Sequence, residues 1–169
     1  MEKEQLIERA KGQLDRVLGF FPRVDTVSSI ILGIDIGMLA FLASKAPAPH
    51  SFTWYTLLAL LLPFALITKS LWHLYQSYFP RLEGGWMSLI YFREIALRKE
   101  EEFAKEFTAQ TDEMYLKDLI NQIYRNSEIL TMKFDHLKQA FNWLALALIP
   151  WLISVFVFAS KNTQNLLDK

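Results

Sequence analysis

A continuous, mostly apolar stretch at residues 24–44 (VDTVSSIILGIDIGMLAFLAS) constrains the fold more than any other feature of the sequence. A helix needs about 20 such residues to cross a hydrocarbon core about 30 Å thick, so this stretch is long enough. Inside lipid the backbone must satisfy its own hydrogen bonds, which leaves a helix as the expected conformation. The stretch therefore predicts a transmembrane helix.

Small residues recur along this predicted helix at intervals of four. Ser29, Gly33 and Gly37 form a small-xxx-small pattern, which lets another helix approach closely within a membrane. We therefore predict that these residues form a helix-packing surface.

An ionisable side chain, Asp35, lies near the middle of the same stretch. A carboxylate at that depth costs about 2.5–3.5 kcal/mol on insertion scales, so it needs a partner, a proton or water. One interpretation is a pore-lining or gating carboxylate, and the other is a buried, hydrogen-bonded residue that fixes helix register. Because Asp35 points roughly away from the glycines on a helix, we expect it to face another subunit or a central axis. Asp25, near the start of the stretch, is expected to pair with Lys69.

Two further apolar runs, at residues 54–74 and 141–160, predict two more transmembrane helices. Lysine and arginine are concentrated before the first span and between the second and third, which places those segments in the cytoplasm. The predicted fold class is an all-α integral membrane protein, with three transmembrane helices and a cytoplasmic helical bundle. Its segments are a cytoplasmic amphipathic helix (1–22), transmembrane helices 1 and 2 (23–79), a cytoplasmic helical segment (80–140), transmembrane helix 3 (141–160) and a short outer tail (161–169).

The N-terminal segment reads as an amphipathic helix rather than a signal peptide, because many charged and periodic residues precede the apolar run. Pro22 is expected to bend the chain between this helix and the first span. The apolar seam of the helix consists of Ile7, Ala10, Leu14, Val17 and Phe21.

A second apolar seam, with residues alternately four and three apart, begins near residue 116 and runs into the third span. The pattern is typical of a coiled coil and predicts one helix of about 45 residues, near 70 Å long. Two apolar seams on one side of the membrane need burial, so we predict a homo-oligomer. The seam is interrupted by Ser127, and its predicted oligomer contacts are Leu116, Ile120, Ile123, Leu130, Phe134 and Leu137.

Several classes of function find no support in the sequence. The formal net charge is zero, which argues against binding a nucleic acid duplex through bulk charge. The absence of cysteine excludes thiol catalysis and thiolate metal sites. His50, His73 and His136 are scattered over different segments, so we predict no metal site. No catalytic motif is present, and an enzyme is not expected.

The order of the segments and several motifs resemble a known family. The motifs are VDTVSSIILGIDIGML, YFPRLEGGWMSLIYFREIA, EEFAKEF and LKDLINQIYRNSEILTMKFDHLKQAF. Together with the final span, they are similar to the membrane effectors of the Pycsar antiphage systems (the PycTM type). The resemblance covers nearly the whole chain.

The resemblance implies a resting protein of the bacterial inner membrane that responds to a cyclic pyrimidine nucleotide. A functionally linked nucleotide cyclase would make this second messenger on infection, and activation would impair the membrane and stop the infected cell (abortive infection). No separate ligand domain is recognisable in the sequence, so we expect the cytoplasmic bundle to bind the nucleotide. Arg93, Arg125 and Lys133 are the candidate phosphate-binding residues. No other cofactor is expected.

Two alternatives to this function are open at the level of sequence. One is a small oligomeric ion channel without a nucleotide signal, and the other is a membrane scaffold that assembles through its helical seams. A channel requires conductance that depends on Asp35. A scaffold would tolerate Asp35→Asn and would lose activity when its seams are mutated.

Overall fold

A computed structural model describes residues 2–47, 52–79 and 84–167, and this part of the chain contains helices and no strand. The predicted all-helical class is therefore confirmed. The helices are α1 (Glu2–Leu18), α2 (Phe21–Lys45), α3 (Trp54–Tyr78), α4 (Phe92–Ala96), α5 (Glu100–Thr108) and α6 (Asp112–Leu167).

Within the described ranges, three helical stretches are long and apolar enough to cross a membrane: Glu2–Lys45, Trp54–Tyr78 and Asp112–Thr163. Their large apolar side chains mostly point outward, as Leu58 and Phe156 do. This surface suits a lipid solvent, which accepts apolar groups and cannot hydrogen-bond to the backbone. The number of predicted transmembrane helices is consistent with this finding.

Two helix boundaries differ from the sequence prediction. The break between α1 and α2 lies at Gly19 and Phe20 rather than at Pro22, which occupies the first turn of α2. Proline is tolerated there because a first-turn N–H has no partner inside the helix. The last helix is also longer than predicted, since α6 contains 56 residues. It begins at Asp112 and continues to Leu167, through mainly polar residues after the predicted end at Ser160, and Pro150 lies inside the helix without ending it.

The chain divides into two compact units, which we describe separately. Unit 1 comprises Met1–Val24 and Phe79–Met132, and unit 2 comprises Asp25–Tyr78 and Lys133–Lys169. Unit 1 thus contains α1, α4, α5 and the first part of α6. Unit 2 contains α3, the rest of α6 and most of α2.

The core of unit 1 forms where the apolar face of α1 packs on α6. Ile7, Ala10 and Leu14 of α1 form a buried cluster with Leu119 of α6. Four of the five residues of the predicted N-terminal seam are buried within the protomer, and Phe21 is half-buried. Partly buried hydrophobic residues surround the cluster, namely Ile90, Tyr115, Leu116 and Ile123.

The core of unit 2 combines large apolar side chains, such as Ile67 and Phe158, with an unusual number of small and polar residues. On α2 the buried positions fall on one helical face that includes Ile31, Asp35 and Leu42. Small side chains at the contacts let transmembrane helices approach closely, and hydroxyl groups can bond across them. The buried polar residues of this unit are Ser28, Asp35, Thr56, Ser70, Ser77 and Ser154.

Candidate functional site

The Asp35 carboxyl lies at the meeting point of the three helices of unit 2. It is 0% exposed. Ser70 of α3 donates through Oγ to Asp35 Oδ2 at 2.7 Å, and the same Oγ lies 3.0 Å from the Ala140 carbonyl oxygen of α6. A single serine thus connects α2 and α6 through α3.

The hydrogen bonds around Asp35 are incomplete. The Ser70 hydroxyl has one hydrogen, yet two acceptors lie within reach of it. Asp35 Oδ1 and, two turns earlier on α2, Ser28 Oγ are buried and have no hydrogen-bond partner among the described residues. A buried polar atom without a partner costs about 1–3 kcal/mol, and a water molecule that reached either atom would relieve that cost.

Asp35 was expected to face another subunit or a central axis, but its side chain points into the core of its own protomer. The angular relation was correct, since Gly33 and Gly37 lie opposite Asp35, but it is the glycines that face out. A Cβ added at Gly33 or at Gly37 would meet no atom within 4 Å. Ser29, the third residue of the predicted packing surface, instead bonds within the protomer, since its Oγ lies 2.7 Å from Tyr78 Oη.

The predicted partner of Asp25 is wrong. Lys133 Nζ of α6 donates to Asp25 Oδ1 at 2.7 Å, where the sequence analysis expected Lys69. The Lys133 side chain is 17% exposed and that of Asp25 is 46% exposed, so the pair is partly shielded from water. Tyr78 Oη donates to the Asp25 carbonyl oxygen at 3.3 Å. A pair between residues so far apart in sequence depends on the packing of α2 on α6, which composition does not reveal.

The candidate phosphate-binding residues occupy different surroundings. Arg93 is exposed on α4 of unit 1. Arg125, also of unit 1, forms an ion pair with Glu128 at 3.2 Å, and its Nε lies 2.8 Å from the position that a Cβ on Gly84 would take. Lys133 belongs to unit 2 and is engaged by Asp25.

The residues of the predicted oligomer seam on α6 differ in their burial within the protomer: some are exposed, and others are half-buried or buried. Within unit 1 the buried residues of α6 are Leu119 and Gln122, each next to a predicted seam position. Ile120 and Phe134 are exposed, at 53% and 44%. Of the remaining seam residues, Leu137 is buried, and Leu116, Ile123 and Leu130 are half-buried.

Residues 84–91 of unit 1 form a rigidly held loop, and the hydrogen-bond network that holds it was not predicted from the sequence. Gly84 and Gly85 have positive φ angles of 102° and 74°, and Met87 has φ 62°, an uncommon value for a side chain of its size. The Asp118 carboxylate of α6 accepts from Ser88 Oγ at 3.0 Å and from the Leu89 N–H at 2.9 Å. Backbone strain that is held in place by such a network is a known sign of a functional loop.

The loop presents its aromatic side chain to water. Trp86 is 87% exposed and lies at the rim of a depression of about 330 Å³. Tryptophan is highly buried on average, so such exposure is unusual. The tryptophan directly after two glycines is the feature of the sequence that could have pointed to this loop. The depression is lined by Trp86, Met87, Ser88, Leu89, Gln110, Met114, Lys117, Asp118 and Asn121.

A comparison with protein-family models gives one decisive result. The model described as the Pycsar effector protein domain matches residues 9–160. The chain belongs to the Pycsar effector family. Membership suggests an antiphage defence effector and implies a link to a cyclic nucleotide signal system, and together with the apolar helices it suggests a membrane location. Neither the curated proteins nor the solved structures contain a significant match.

Proposed function

We propose that this Pycsar effector is an inner-membrane protein that collapses the membrane potential of an infected cell when a cyclic nucleotide signal appears. The observation that carries the proposal is Asp35, a fully buried carboxyl with one unpartnered oxygen in a unit otherwise suited to lipid. Ionisable residues within membrane-spanning helices are expensive, and they commonly mark ion or proton pathways.

The resting state has the carboxyl closed off inside each protomer. Ser70 connects Asp35 to α6, so any movement of α2 away from α3 breaks the contact that supports the carboxyl. Water entering between the helices would then hydrate Asp35. Carboxylates that meet in the wetted interior of an assembly attract cations, as the acidic rings of cation channels do.

An assembly of several copies is part of the proposal, because three helices are too few to enclose a wide path. The exposed residues Ile120 and Phe134 on α6, and the open face at Gly33 and Gly37 on α2, offer apolar and close-approach surfaces for it. We propose a homo-oligomer of four or more copies, with the N-terminus in the cytoplasm.

The depression beside Trp86 in unit 1 is the site we propose for the nucleotide. An exposed indole can stack on a base, which typically contributes about 1–3 kcal/mol. Lys117 forms no ion pair with any described residue and can meet a phosphate, while Gln110 and Asn121 offer amide groups to the edges of a base. This assignment is preferred to the pairing of Arg125 with Lys133, which belong to different units.

Two competing functions make different predictions. An ion channel without a nucleotide signal would need Asp35 but would be indifferent to Trp86. A scaffold that acts only through its helical seams would tolerate changes at Asp35 and would depend on Phe134.

The test uses a potential-sensitive dye in cells that express the chain together with a nucleotide cyclase. Induction should depolarise cells with the parent chain, whereas Asp35→Leu should abolish the response at equal expression. The matched control is Ile34→Leu, the neighbouring exposed position on α2. If Asp35→Leu depolarises cells as fast as the parent, the carboxyl is structural and the proposed pathway is wrong.

A further inference from the structure

Two histidines that are remote in sequence face each other in unit 2. His73 lies on α3 and His136 on α6, and their Nδ1 atoms are 3.4 Å apart. Their ring centroids are separated by 5.8 Å, and the ring planes are tilted by 37°. Both side chains are half-buried.

The distance between the two nitrogens is long for a hydrogen bond, since N–H donors normally lie about 2.7–3.2 Å from their acceptors. The 3.4 Å separation matches that of two imidazole nitrogens bound to one metal ion. Two imidazole nitrogens bound tetrahedrally to Zn²⁺, each about 2.0–2.1 Å from the metal, lie roughly 3.4 Å apart. If each ring carries its hydrogen on Nε2, two lone pairs face each other, and a cation between them removes the repulsion.

We propose that His73 and His136 bind a transition-metal dication, and that the bound ion ties α3 to α6. Imidazole suits Zn²⁺, Cu²⁺ and Ni²⁺, whereas Mg²⁺ and Ca²⁺ prefer oxygen ligands. No group of three or more histidine, cysteine, aspartate or glutamate ligands occurs in the described part of the chain. Water would fill the remaining coordination positions, so we expect weaker binding than at a structural zinc site with four protein ligands.

The positive charge of Lys69, on the same helix as His73, should weaken metal binding. Lys69 lies one turn before His73 and opposes a dication through its own positive charge. Removing that charge should therefore tighten binding several-fold, because two like charges on neighbouring turns of a helix repel each other.

The experiment titrates ZnCl₂ into the full chain in mild detergent and follows binding by calorimetry. One equivalent per chain should bind, and His73→Ala and His136→Ala should each weaken binding at least tenfold. The matched control is His50→Ala, whose position lies outside the described residues and which should bind zinc as the parent does. Lys69→Ala should tighten binding, and Lys45→Ala should leave it unchanged.

A spectroscopic measurement separates direct ligation from an indirect effect of the substitutions. With Cu²⁺ as the probe, electron paramagnetic resonance should show hyperfine coupling to two imidazole nitrogens in the parent and to one in each alanine variant. Absence of a one-to-one site in the parent, or zinc binding that survives in the His73→Ala and His136→Ala double variant, would overturn the proposal. In those cases the pair makes an ordinary hydrogen bond only.

Discussion

The hydrogen bond from Ser70 to Asp35 can be tested by removing one hydroxyl. Ser70→Ala leaves both Asp35 oxygens without a hydrogen-bond partner among the described residues, because Ser70 is the donor at 2.7 Å and Oδ1 already has none. The substitution leaves almost no cavity, since only one oxygen atom is lost. Its effect therefore reports the unsatisfied carboxyl rather than a loss of packing.

The magnitude follows from the burial of the site. A buried acceptor that loses its donor costs about 1–3 kcal/mol, and Asp35 is fully buried. We expect Ser70→Ala to lower the free energy of unfolding by about 2 kcal/mol, which is roughly 4–8 °C in melting temperature for a chain of this size. In the Asp35→Leu background the carboxyl is absent, and Ser70 still has the Ala140 carbonyl as acceptor. There the loss should be only about 0.5–1 kcal/mol.

The assay is a double-mutant cycle on the purified protein, with thermal unfolding followed by circular dichroism. The difference between the two backgrounds should be at least about 1 kcal/mol, as for residues in direct contact. The matched control is Ser154→Ala, a buried serine whose Oγ lies within hydrogen-bond distance of the Ala59 and Pro150 carbonyl oxygens and of no carboxyl. Equal losses for Ser70→Ala in both backgrounds would refute the idea that this hydroxyl supports Asp35.

Three further predictions address the other surfaces. Trp86→Ala and Lys117→Glu should each weaken binding of a cyclic pyrimidine nucleotide at least tenfold in calorimetry while helix content stays constant, and unchanged affinity would rule out the depression as the site. Phe134→Asp should reduce the oligomer to smaller species in light scattering, because an unpaired charge in a packed seam costs several kcal/mol; an unchanged mass would contradict a seam at that position. Lys133→Met should lower the melting temperature by no more than a few degrees, since its partner Asp25 is nearly half exposed and solvent screens the pair; a loss above about 3 kcal/mol would show that the pair is effectively buried.

The helices could be predicted from the sequence because they depend on local patterns. The apolar run at residues 24–44 allowed one conformation in lipid, and the seam of Ile7, Ala10 and Leu14 packs in unit 1 as its spacing required. Boundaries shifted by a few residues, as at Gly19, where a turn separates α1 from α2. Helix ends depend on a small number of hydrogen bonds, and a hydrophobic pattern constrains them weakly.

The contents of the site could be predicted only in part. Asp35 stood out because a carboxyl within a membrane span is expensive, but the side of α2 that faces the core could not be inferred. In water the apolar face is the buried one, whereas in lipid large apolar residues such as Ile30 can face outward, and small or polar residues such as Ser28 and Asp35 can be buried beside apolar ones. Contacts such as Asp25 with Lys133, 108 residues apart, arise from tertiary packing alone.

The open face of α2 leads to a final prediction, in which stability and assembly change in opposite directions. Gly37 is exposed, and a Cβ there would meet no atom within 4 Å, so the protomer has room for a side chain. Glycine inside a helix is about 1 kcal/mol less favourable than a good helix former such as leucine. Gly37→Leu should therefore raise the melting temperature of the protomer by a few degrees.

The same side chain would hold a neighbouring helix away from the backbone of α2, if copies of the chain meet at this face. Gly37→Leu should then reduce the oligomeric mass in light scattering, even as the protomer becomes more stable. Ala65→Leu is the matched control, because Ala65 is an exposed small residue on α3 outside the predicted packing surface. That variant should keep the parent mass. If Gly37→Leu also keeps the parent mass, the glycines of α2 face lipid, and the assembly must depend on α6.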